Sequence, residues 1–295
     1  MFFSWYKKFS SQPHQPFFTS GILFLILFMS LFVSVYSNFL VLDNSVLTYH
    51  AYTMVFVIFI QFFLGFLFVV FPRFLIQAEI QIQEYMKQFL LYFFASLGIF
   101  LTLIFYSKVT FIFQILMLIA QIMSFKLLYS IHKKSIVKVK EDTKWVLISL
   151  FSGLVFHSLF IISSLNFPYA YELSRFAIDG GFYLFLFMVI FVISQRMIPF
   201  FTTAKAPNYV ANKSVNLLTI IFSLLAFKVI LLAFDNAKLN LLADIPLFIM
   251  ITRELIKWKL PFFKSPSIMG VLFLGFYWIP VAFFMSILEG LMAFY

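Results

Sequence analysis

Few side chains in this sequence could do chemistry, and most of them fall inside or beside long apolar runs. His157, in "SGLVFHSLFIIS", lies about 18 Å along its run at the helical rise of ~1.5 Å per residue. A histidine at that depth is either a neutral imidazole hydrogen-bonded between helices or a ligand to haem or a metal. His50, in "LTYHAYTMVF", stands at the outer end of another run, facing water or a ligand. Met54 is one helical turn further, on the same face. That pair suits copper, but it cannot take opposite axial positions of one haem. His14, in "SQPHQPFF", falls at the cytoplasmic side, so one cofactor cannot use all three histidines. Lys228 and Asp244 lie on consecutive antiparallel runs, each about 7–9 Å below the outer surface by the same rise. An ion pair would relieve both charges, and a proton or ion path is the alternative. Gln61, Gln114 and Gln121 can bridge helices, while Asp179 and Glu289 lie near a boundary and can be solvated.

Several chemistries are excluded. The chain has no cysteine, which removes disulfides, iron–sulfur ligation and covalent c-type haem attachment. There is no nucleophile–base arrangement, no phosphate-binding glycine loop and no Cys/His metal spacing, so no catalysed reaction is legible. The net charge of +10 would suggest nucleic acid in a soluble protein. Here it sits in membrane-flanking loops, so topology accounts for it and no nucleic-acid partner is expected.

The elements that must position these residues follow from composition. Of 295 residues, 63% are hydrophobic and 11% charged, against about 25% charged in soluble proteins. Mean hydropathy is +1.04, and the apolar residues come in runs of about 20, the length that crosses ~30 Å of hydrocarbon. Backbone groups must be satisfied within such a run, which makes them helices. The alternating segments of a membrane β-barrel are absent. The expected fold is therefore all-α and polytopic, a single integral-membrane domain over 1–295. Nine spans are predicted, near 18–41, 51–71, 87–106, 109–129, 145–165, 177–196, 215–234, 239–256 and 267–291. The first run starts late and lacks a small-x-small site, so it does not read as a cleavable signal peptide.

With the N-terminus in the cytoplasm, 17 lysines and arginines fall inside, including Lys133, Lys134, Lys138, Lys140, Lys144 and Lys264. Only Lys108, Arg175 and Lys238 fall outside. The positive-inside rule thus sets the orientation, and an odd number of spans puts Tyr295 outside. The loops are short and leave no room for a soluble domain. "SIHKKSIVKVKEDTK" reads as a cytoplasmic loop near anionic headgroups, and "IQAEIQIQEY" as an interfacial connector. Proline beside aromatics recurs at the cytoplasmic edge, in "QPFFT", "FPRF", "IPFFT" and "LPFF". Proline ends or begins a helix and aromatic rings favour the headgroup zone. Arg196, ahead of Pro199, Phe200 and Phe201, accordingly reads as a cytoplasmic anchor.

Four stretches, "QPFFT", "HAYTMVFVIFIQFFLGFLFVVFPRF", "GGFYLFLFMVIFVISQRMIPFFT" and "LFLGFYWIPVAFF", together resemble the NnrS family. Its members are bacterial inner-membrane proteins described as binding haem and copper and linked to nitric oxide and nitrosative stress. The resemblance covers most of the chain in order, and "RMIPFFT" is its most specific part. It implies haem b and copper as cofactors, with His50 matching the histidine that opens the family's second span and Gly65 and Phe66 its "GF". It further implies a role for Arg196, on a haem propionate or in ordering the Pro199 turn, with His14 just ahead of the "PFF" block. Two departures stand out. Ala51 follows His50 where relatives often carry an acidic residue, and the chain is expected to be short at its C-terminus.

The resemblance implies a haem-binding, and in some versions copper-binding, multi-pass protein of the bacterial inner membrane that responds to nitric oxide, with His50, His157, His14 and Arg196 toward haem and His50 and Met54 toward copper. Helical rise separates His50 and His157 by about 10–12 Å in depth, so one bis-histidine haem would need a tilt or kink. Two other classes stay open. One is a transporter or channel using Lys228 and Asp244, and the other is a structural subunit of a respiratory complex.

Overall fold

The computed structural model describes residues 2–42, 45–165, 167–205, 209–261 and 266–294. The expectations placed on Lys264, Tyr295 and the end of "LPFF" lie outside them. Among the described residues every regular element is helical. Seven helices are long and apolar enough to cross a membrane, and the protein is a polytopic helical membrane protein. Large apolar side chains such as Ile26, Phe94, Phe105, Phe151 and Trp278 are more than half exposed, as they must be when hydrocarbon is the solvent.

The chain divides into two compact units, Met1–Leu186 and Phe187–Tyr295, where the sequence suggested one domain. The first unit contains α1 (Phe2–Phe9), α2 (His14–Tyr36), α3 (Val46–Tyr52), a π-helical turn (Thr53–Ile58), α4 (Phe59–Phe74), α5 (Ile82–Phe105), α6 (Thr110–Lys134), α7 (Glu141–Ser163) and α8 (Ala170–Gly180). Consecutive long helices pack side by side, α2 on α4 and α5, α5 on α6, α6 on α7 and α7 on α8, and α8 returns to α3. Short connections between long apolar helices force this antiparallel order. The 75–81 connector between α4 and α5 is non-helical, as its mixed pattern suggested.

The second unit contains α9 (Met188–Lys205), α10 (Leu217–Leu232), α11 (Ala237–Trp258) and α12 (Ser267–Met292). Here α11 packs on both α10 and α12, and α12 on α9. Two of the nine predicted spans need qualification. α10 has only 16 residues, about 24 Å at the helical rise. α11 carries Lys238, Asp244, Arg253, Glu254 and Lys257, and neither is among the seven long apolar helices.

The predicted stop near Arg196 is also displaced. α9 runs on through Pro199 to Lys205. A proline inside a helix frees the carbonyl four residues back, here that of Gln195. The Lys213 ammonium donates to that carbonyl and to Gln195 Oε1 at 2.8 Å. Thr203 and Thr202 hydroxyls meanwhile bond the carbonyls of Pro199 and Ile198. Satisfied in this way, the helix need not end at its proline.

Candidate functional site

The most buried group of titratable and polar side chains in the first unit forms where α3, its π-helical turn, α6 and α7 meet. A π-helical turn widens the backbone and displaces the usual i→i−4 pattern, leaving carbonyls to find other donors. Gln121 on α6 donates its amide to Phe56 O at 2.8 Å, and Gln61 donates to Val57 O at 2.9 Å. The second π-helical turn (Gly181–Phe187) packs here too. A Cβ on Gly181 would fall 2.4 Å from Phe56 Cζ, and one on Gly180 2.1 Å from Phe156 Cε1. Only glycine lets these rings lie so closely against the backbone.

His157 is fully buried at the centre. Its ring stacks on Phe56 with centroids 4.9 Å apart. Nδ1 lies 2.8 Å from Gln121 Oε1 and Nε2 lies 3.0 Å from the Tyr52 hydroxyl. Because the Gln121 amide nitrogen faces Phe56 O, its oxygen faces the imidazole and can only accept. Nδ1 therefore carries the proton, and Nε2 is the basic atom, receiving the Tyr52 O–H. Stacking of Tyr52 on Phe160 at 4.4 Å holds that hydroxyl in place. The result is a neutral imidazole of fixed tautomer whose one lone pair is covered by the Tyr52 hydroxyl.

His50 stands apart from this centre. Six residues separate it from Phe56, the ring on which His157 stacks, about 9 Å at the helical rise. His50 is half-buried and stacks on Phe32 at 4.3 Å. No hydrogen bond reaches its ring nitrogens among the described residues. It lines a cleft of about 20 Å³ together with Phe28, Phe32, Tyr49, Thr53 and Leu103. Met54 is half-buried, and the π-helical turn begins between it and His50, so α-helical spacing no longer relates the pair.

His14 opens α2, near Phe18. It is separated from Phe32, the partner of His50, by about 27 Å of helix at ~1.5 Å per residue. Arg196 belongs to the second unit, half-buried on α9. Tested against haem, the first-unit histidines do not fit the group as they are arranged. Both His157 nitrogens are engaged, and the cleft beside His50 takes one or two water-sized atoms, not a porphyrin. Among the described residues no cluster of three or more His, Cys, Asp or Glu could hold a metal. Of the two histidines near this end of the unit, His50 is the one whose ring nitrogens make no hydrogen bond among the described residues.

The second unit has its own buried centre. Lys228 Nζ lies 2.5 Å from Asp244 Oδ1, with side chains 2% and 0% exposed. Ser286 on α12 donates to Asp244 Oδ2 at 2.7 Å. The sequence suggested the ion pair but not Ser286, whose role depends on α12 packing against α11. It also gave no sign of Tyr52, whose meeting with His157 joins residues 105 apart in the chain. Nor did it suggest the contact of Glu254, buried on α11, which accepts from Trp258 Nε1 and Ser214 N, both at 2.9 Å.

Compared with known protein families, the chain matches the one described as NnrS protein over residues 8–295. Neither the curated proteins nor the solved structures gave a match.

Proposed function

The chain belongs to the NnrS family, and from that membership we propose that it serves the bacterial response to nitric oxide and nitrosative stress at the inner membrane. The match across 8–295 carries this reading, because it includes every element that builds the His157 centre. Within the protein, Tyr52, His157 and Gln121 form the working centre, where a basic nitrogen is held neutral among packed helices. A porphyrin does not fit the first-unit histidines as they are arranged, so any copper is held through His50, whose ring nitrogens accept no hydrogen bond among the described residues, and not through His157.

Growth under a nitric oxide donor tests the role. A deletion strain complemented with the wild-type chain should recover, and one complemented with His157→Phe should not. Equal rescue by an empty vector would overturn the reading. The cofactor part is tested on purified protein by a reduced-minus-oxidised spectrum with metal analysis. A copper signal lost in His50→Ala and kept in His157→Phe supports it. A signal lost only in His157→Phe overturns the assignment, and a colourless, metal-free protein after expression with excess haem and copper removes the cofactor altogether.

A further inference from the structure

Two observations in the first unit have no account in the family role. Gln114, fully buried on α6, has neither amide atom hydrogen-bonded, and the Thr110 hydroxyl, also buried, is likewise unpartnered. The Tyr49 hydroxyl is within weak hydrogen-bonding reach of the Gln114 amide, which engages at most one of its valences. A primary amide so incompletely partnered in the membrane interior is strongly unfavourable, so this group must bind something further that both donates and accepts.

The second observation is a cavity of about 10 Å³ one station deeper, bordered by Gln121, Tyr92 and Ser124 among apolar neighbours. That volume is about one water, and the free valences match one. Ser124 gives its hydrogen to Gln88 Oε1 at 2.6 Å, so the Tyr92 hydroxyl, 3.2 Å away, donates to Ser124 and keeps its own lone pairs open. Gln121 uses one amide hydrogen on Phe56 O and has a second to give. A guest in the cavity accepts from Gln121 and donates to Tyr92.

These groups lie in line. Thr110, Gln114, Gln121 and Ser124 fall at about 0, 6, 17 and 21 Å along α6 at the helical rise. They share the face that α5, α7 and the π-helical turn cover, and His157 bonds Gln121 midway. We propose that the first unit binds a column of water, with one station at Thr110, Gln114 and Tyr49, a second between Gln121, Tyr92 and Ser124, and His157 between the two. The column connects the lysine-poor end of the bundle to the buried imidazole. It requires no cofactor and stands apart from the nitric oxide reading.

Hydroxyl-radical footprinting of the full chain in lipid nanodiscs, in which bound interior water generates the radical locally, tests it. Normalised to intrinsic reactivity, Tyr52, His157 and Tyr92 should label several-fold more than Phe276 and Phe283, which are as buried in the second unit. Gln114→Leu should cut Tyr52 labelling several-fold and spare Tyr92. Thr110→Val, closer in shape, should act the same way more weakly and serves if the leucine variant does not fold. Labelling of all three residues at the level of Phe276 and Phe283 overturns the column. So does Gln114→Leu or Thr110→Val leaving the labelling unchanged while raising Tm, because a bare polar group would gain from replacement.

Discussion

The two buried polar centres solve the same problem in opposite ways. In the second unit Lys228, Asp244 and Ser286 form a closed ionic set on three helices. Opposite charges cancel, and the serine takes the second carboxylate oxygen. In the first unit Tyr52, His157 and Gln121 are neutral, and the hydrogen-bonded chain around them is open at Gln114 and beside Tyr92. A closed ion pair locks helices together, because separating it in hydrocarbon is prohibitive. An open neutral network can exchange partners at modest cost. The difference makes the second centre a lock between helices and leaves the first with hydrogen-bond valences to spare.

The largest test breaks the closed set. Asp244→Ala takes the countercharge from the buried Lys228 ammonium, and should cost about 3–5 kcal/mol, read as a large loss of Tm in detergent. The double change Lys228→Met with Asp244→Leu should restore most of that loss, and failure to do so would argue for an ion path. Next, His157→Phe keeps the ring stack but orphans the Tyr52 hydroxyl and the Gln121 oxygen, each worth about 1–3 kcal/mol. Its Tm should fall less than for Asp244→Ala, and its function under nitrosative stress should fall further than its stability. Gly181→Ala pushes a methyl against Phe56, and should cost about 1–3 kcal/mol through overpacking, with His157 labelling altered as the stack shifts. Smallest is His50→Phe, which keeps the contact with Phe32 and breaks no hydrogen bond. Its stability should stay within about 0.5 kcal/mol of wild type, so any lost copper signal would report on ligation alone.

Much of this was legible early. Apolar runs of spanning length fix the helices wherever a segment is uniformly hydrophobic, which is why α2, α5, α6, α7 and α12 fall close to expectation. The pattern misled where polar groups inside the chain rescue the backbone. Pro199 looked like a stop, and α9 continues because Lys213, 18 residues beyond Gln195, takes the carbonyl that the proline frees. Of the site, His157 and the Lys228–Asp244 pair stood out because ionisable residues are rare in spans. Tyr52 and Phe56 did not, since aromatic residues make up 22% of the chain and one more carries no signal.

Composition and charge alone determined the all-helical membrane class and the expected orientation, because burying peptide groups in hydrocarbon leaves one local solution. They also nominated the costly residues. Which nitrogen of His157 carries its proton, that Tyr52 covers the other, and that Ser286 completes the pair were decided only in three dimensions. Each depends on groups brought together from distant helices, and hydrogen-bond valence is settled between neighbours in space.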